Sequence, residues 1–75
     1  MSDLVHSQPA LDQTKVLQIV YTHYRGETAT RHIVPQRLWF GSTSWHPDPQ
    51  WLLDAVDVGK DVERSFALKD IRFTD

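Results

Sequence analysis

The eight residues Gln50–Asp57, Gln-Trp-Leu-Leu-Asp-Ala-Val-Asp, constrain the fold more than any other stretch of this 75-residue chain. At the two-residue period of a strand, Trp51, Leu53 and Ala55 fall on one face and Leu52 and Val56 on the other, so both faces are largely apolar. A strand of that kind needs cover on both sides. So short a chain cannot flank a flat sheet with helices, which leaves curling the sheet on itself as the way to cover the strand twice. The expected architecture is all-β: a small five-stranded barrel, SH3-like or Sm-like, over residues 14–75, behind a flexible N-terminal segment at residues 1–13.

The other segments read as neighbours of that strand. From Lys15, the residues Leu17, Ile19 and Tyr21 alternate with Gln18, Val20 and Thr22, which predicts a half-buried strand ending at Arg25-Gly26-Glu27. A hairpin centred on Gly26 sets Tyr24 opposite Thr28, Tyr21 opposite Arg31 and Ile19 opposite Ile33. Pro35 cannot donate to a ladder, so the second strand is expected to end or bend there, with Arg37–Gly41 resuming as a third. The segment from Gly41 to Gln50, with Pro47 and Pro49, reads as a long loop. After the central strand come a turn at Asp57–Asp61, a strand from Val62 to Leu68, a helical turn near Leu68–Ile71, and a last extended piece at Ile71 and Phe73.

Composition removes several function classes. There are no cysteines, so neither disulfides nor thiolate-metal sites staple a domain whose single core supplies only roughly 3–5 kcal/mol. No apolar run approaches the ~20 residues of a membrane span, and the opening Met-Ser-Asp-Leu-Val-His-Ser lacks the basic and apolar regions of a signal peptide, so the expected location is cytoplasmic, away from membranes. The four histidines share no metal-ligand spacing, and no metal or other cofactor is expected. Ser42, Thr43, Ser44, His46 and Asp48 contain the letters of a nucleophile, base and acid, yet nothing in that loop supplies an oxyanion hole, and the chain does not read as an enzyme.

Net charge is −2, which argues against gripping duplex DNA by bulk charge. The charges are nonetheless segregated. Between His23 and Arg37 lie three arginines and two histidines against one carboxylate, whereas Asp48 to Asp75 holds seven carboxylates against four cations. If the second strand and Arg64 meet on one face, Arg31, Arg37 and Arg64 form a local phosphate site, with Tyr21, Trp39 and Trp45 as flat surfaces for bases. The same arginines also fit a plainer role, stems over apolar surface and heads in water. Trp51, which shares its parity with Leu53 and Ala55, reads as a core side chain.

From Leu17 to Phe73 the ordered set Tyr21, Gly26, Arg31, Pro35, Leu38, then Trp51-Leu52-Leu53 and Arg64-Ser-Phe66-Ala-Leu68-Lys-Asp-Ile71, resembles the WYL domain in a stand-alone short form. The chain departs from that pattern in having Leu52 where the family tripeptide has tyrosine, and in a longer loop carrying Trp45-His46-Pro47-Asp48-Pro49. The 75 residues carry no pattern of the helix-turn-helix that often precedes WYL domains in bacterial transcription regulators, so a stand-alone module is the expectation. The resemblance implies an Sm-like barrel acting as a regulatory module that binds single-stranded nucleic acid or a nucleotide in a basic and aromatic pocket. On that reading Tyr21, Arg31, Arg37, Trp39 and Arg64 contact the ligand, while Phe40, Trp45 and His46 form a lid or a partner surface. The alternative is a protein interaction or oligomerisation module, homodimeric or with another partner, that uses exposed strand edges and the aromatic 39–49 loop.

Overall fold

Alternating apolar and polar side chains place the strands close to where the sequence predicts them. The computed structural model describes residues 15–23 and 25–74, so the lead-in expected at 1–13 lies outside the described residues. In order the elements are β1 (Leu17–Thr22), β2 (Thr28–Gly41), β3 (Gln50–Asp57), β4 (Val62–Ala67), a 3-10 turn (Leu68–Asp70) and β5 (Ile71–Phe73). They form one antiparallel sheet in the order β4-β3-β2-β1-β5, an all-β five-stranded fold as expected. Closure is incomplete: β4 and β5 stand at the two ends of that order, and no ladder joins them. The 3-10 turn carries the chain from one edge to the other, and the Tyr21 hydroxyl accepts the Ala67 amide N–H at 3.3 Å.

The β1–β2 hairpin differs from the expected register by one pair. Tyr21 lies opposite Ala29, Ile19 opposite Arg31 and Leu17 opposite Ile33. The connecting loop is centred on Arg25 and is closed by His23 N–H to Glu27 O at 3.0 Å and Gly26 N–H to His23 O at 2.8 Å. Gly26 takes the left-handed conformation, φ 83°, one position past the centre. Because the slip is two residues, the same side chains still face inward.

Strand β2 is continuous through Pro35, where two strands were expected. Pro35 pairs with Ala55 and Arg37 with Asp54, so one extra residue bulges out of β2 between them. That bulge reverses the alternation. Ahead of it Arg31, Ile33 and Pro35 face the core; beyond it Leu38 and Phe40 do so, and Arg37 and Trp39 turn to the outer face.

The core is a cluster of Ile19, Tyr21, Ile33, Leu53, Ala55 and Phe66, with Leu17 and Ile71 packed against it. Each of its large aliphatic or aromatic side chains contributes roughly 1.5–3 kcal/mol by burial. Tyr21 and Phe66 meet edge to face with ring centroids 4.9 Å apart. On the outer face, Leu52 and Ala67 lie opposite one another and are fully buried. Trp51 corrects the sequence reading. It shares the face of Leu53 and Ala55, but β1 pairs with β2 only as far as Ile33, so the far end of the β2–β3 ribbon runs beyond that cover and leaves Trp51 51% exposed.

Candidate functional site

Inward-facing residues at the hairpin end of the sheet build a groove of about 820 Å³. Tyr21 from β1, Ala29 and Arg31 from β2, and Val62, Arg64 and Phe66 from β4 form its walls. His23, Arg25 and Glu27 rim it from the first loop, and Thr43, Trp45 and His46 from the long loop. Residues of both parities of β4 line it, including Glu63 and Ser65, so the groove runs over the free edge of that strand. Its lining carries four cations, Arg25, Arg31, Lys60 and Arg64, against two carboxylates, in a chain whose total is −2.

Arg31 is tied down. Its Nη1 donates to Asp57 Oδ2 at 2.9 Å, and the two side chains are 18% and 3% exposed. Asp57 ends β3 on the parity of Leu53 and Ala55, which points its carboxylate into the core, where a cation must meet it. The pair thus forms the floor beside the groove. Tyr21 is held as firmly: burial pushes its phenol above the usual range, the Ala67 amide donating to its oxygen pulls the other way, Asp70 adds to the rise, and Arg64 and then Arg31 oppose it. Arg64 is exposed and, like Lys60, has no ion pair among the described residues.

The long loop is less open than its composition suggests. Thr43 and His46 close a four-residue turn through Thr43 N–H to His46 O at 2.9 Å and His46 N–H to Thr43 O at 3.1 Å. His46 Nε2 then donates to the Ser65 carbonyl at 3.2 Å, which ties the turn to the edge of β4. Trp45, 72% exposed, is carried on this turn over the groove.

Of the residues singled out from the sequence, Tyr21, Arg31, Arg64, Trp45 and His46 meet at this groove, and Arg37, Trp39 and Phe40 do not. The bulge at Pro35–Arg37 is the reason. Arg37 and Trp39 lie on the outer face, where the guanidinium sits 4.9 Å from the Trp39 ring centroid and its Nε lies 3.6 Å from Asp54 Oδ2. The Trp39 indole N–H donates to Asp54 Oδ1 at 3.0 Å, and the Ser65 hydroxyl donates to the same oxygen. Gly41 makes room for this arrangement, because a Cβ there would fall 2.4 Å from the Trp39 ring. Phe40 instead meets Trp51 edge to face, centroids 5.5 Å apart, over a shallower recess of about 480 Å³ that also involves Leu68 and Lys69. Leu52 is fully buried and lines neither recess.

Sequence reasoning missed Asp57 and Lys60. The signal for Asp57 was present, since a carboxylate on the inward parity of an apolar strand calls for a buried cation. Lys60 follows from the turn after it, where the Lys60 and Asp61 amides both donate to the Asp57 carbonyl. Among the described residues no group of three or more His, Cys, Asp or Glu side chains is placed to hold a metal ion, and no helix is long and apolar enough to cross a membrane. Comparison with protein-family models, curated proteins and solved structures returned no match.

Proposed function

We propose that this protein is a non-enzymatic binding module, similar to a stand-alone WYL domain, that takes a phosphate-bearing ligand of the nucleotide or single-stranded nucleic-acid class in the groove between β1, β2 and β4. One observation carries the reading: Tyr21, Arg31 and Arg64 converge on a groove with an excess of cations, within an acidic chain. A cationic recess in an otherwise repulsive surface concentrates small anions locally without attracting duplex DNA in bulk. Arg64 is the phosphate contact, and Arg31, neutralised by Asp57, shapes the site. Titration of labelled oligonucleotides at low and physiological salt tests this, with binding expected at low salt and weakened at least tenfold by Arg64→Ala. Absence of binding at low salt, or indifference to that substitution, removes the reading.

A second reading rests on a different end of the molecule. Phe40 and Trp51 are 58% and 51% exposed on one side of the β2–β3 ribbon, and Leu38 joins them on that face. Exposed aromatic side chains grouped in this way mark protein contact surfaces. Light scattering over a concentration series decides the self-association form. Growth in mass that Phe40→Ala abolishes supports it, and a monomer at millimolar concentration rules it out.

A further inference from the structure

We infer that the free edge of β4 is guarded: His46 and Tyr21 stand where the backbone of a neighbouring strand would run and, together with the charges of Glu63 and Arg64, keep β4 from pairing with β4 of a second copy of this chain.

Hydrogen-bond phase determines which groups that edge exposes. In an antiparallel ladder, successive residues turn their N–H and C=O alternately to one neighbour and the other. The Val58 amide donates to the His32 carbonyl at 2.8 Å, so along β3 the even-numbered residues bond to β2 and the odd-numbered ones to β4. Ala55 and Asp57 pair with Arg64 and Val62, which leaves Glu63, Ser65 and Ala67 to turn their backbone groups outward. Two of those outward groups are occupied. His46 Nε2 donates to the Ser65 carbonyl at 3.2 Å, and the Tyr21 hydroxyl accepts the Ala67 amide N–H at 3.3 Å. An imidazole N–H thus takes the place of a strand amide, and a phenol oxygen that of a strand carbonyl. His46 is itself held, its amide N–H shared between the carbonyl and the hydroxyl of Thr43 at 3.1 and 3.0 Å.

An unpaired edge is a template for another strand, and an identical strand is always present. Each two-fold antiparallel pairing of two β4 strands meets an obstacle here. Centred on Ser65 or Phe66, it draws on the Ser65 carbonyl and the Ala67 amide, both taken. Centred on Arg64, it has Glu63 and Ser65 exchanging bonds between the copies, again through the Ser65 carbonyl, and it sets the two arginines opposite one another. Centred on Glu63, it escapes both side-chain guards but places like carboxylates directly opposite. A pairing centred on Val62 needs the Asp61 amide, which donates to the Asp57 carbonyl at 2.7 Å from a residue that has left the strand at φ 55°. The consequence reaches the groove, which runs over this edge: a second β4 seated there would cover it, and the guard keeps it open whatever it binds.

The test is sedimentation velocity of the full chain carrying Phe40→Ala, so that contacts at the far end of the β2–β3 ribbon do not contribute, with His46→Ala and then Arg64→Thr added. The Phe40→Ala parent is expected to remain monomeric. His46→Ala opens the pairing centred on Arg64 but leaves the arginines opposed, so its dimer should be about tenfold tighter at roughly 1 M salt, where those charges are screened, than at roughly 0.05 M. Adding Arg64→Thr should give a dimer at both salts. In that dimer the Glu63 and Ser65 amides should exchange with deuterium at least about tenfold more slowly than in the parent. Glu63→Pro, which removes an outward N–H that β3 does not use, should return the monomer. Circular dichroism of the His46→Ala and Arg64→Thr chains should match the native one, since neither side chain belongs to the core. A folded double variant that stays monomeric at both salts, a dimer that survives Glu63→Pro or leaves those amides unprotected, or a His46→Ala chain without its native spectrum overturns the inference. A parent that already dimerises with those amides protected overturns it as well.

Discussion

Strands β2 and β3 carry two arginine–aspartate pairs, one on each face, and their difference shows how a single bulge assigns roles. Arg31 and Asp57 meet at 2.9 Å on the core face and are nearly enclosed; Arg37 and Asp54 stand 3.6 Å apart on the outer face with the arginine 62% exposed. Both aspartates lie on β3, three residues apart and therefore on opposite faces. Both arginines have odd numbers on β2 and would share a face in a regular strand, and the extra residue between Pro35 and Arg37 is what separates them. The buried pair is part of the fold and can give little of its charge to a ligand. The exposed pair, stacked on Trp39, is an outer-face latch. Arg64, on neither strand, keeps its charge for the groove.

The comparison can be broken most decisively at Asp57. Replacing it with alanine leaves the Arg31 guanidinium buried without its carboxylate, and the expected loss of about 3–5 kcal/mol matches the whole stability of so small a core, so the variant should be largely unfolded by circular dichroism without denaturant. A loss below about 1 kcal/mol would make the two pairs equivalent. Gly41→Ala comes next. The added carbon meets the Trp39 ring, so the indole must leave its place over Asp54, at a cost of about 1–3 kcal/mol and with a changed near-ultraviolet dichroism spectrum. Should that spectrum stay unchanged, the outer-face latch is not what orients Trp39.

Tyr21 sharpens the contrast through pH. Its phenol titrates higher in the folded chain than in the unfolded one, so the stability linked to it is complete below about pH 10 and declines as pH rises through the raised value. The expected signature is a denaturation midpoint that falls above pH 10 in the native chain and falls less in Tyr21→Phe. Smallest of all is Arg37→Ala, with about 0.2–1 kcal/mol of stability lost.

Much of the fold was legible because period-2 patterning depends on local chemistry. The extended segments and the 3-10 turn near Leu68 follow from where apolar and turn-forming residues fall, whereas Pro35 suggested a break in what is one continuous strand. Two features were not. The hairpin register depended on which residue centres the loop, and Gly26 marks the left-handed position rather than the midpoint. Trp51 carried the right parity but not the extent of its cover, which is set by how far a neighbouring strand runs. The candidate site was legible in part for the same reason. Tyr21, Arg31 and Arg64 converge on one face, whereas Arg37 and Trp39 were grouped with them across Pro35, where a break was expected and a bulge instead exchanges the faces. The proline announced an irregularity; only the ladder showed that the strand continues with its faces exchanged.

The separation of the two faces is tested most directly by measuring oligonucleotide affinity at low salt for Arg64→Ala and Arg37→Ala side by side. The account predicts at least a tenfold loss for the first and less than a twofold change for the second. Equal losses from both substitutions would contradict it, because an arginine on the outer face would then be contributing to a site on the core face.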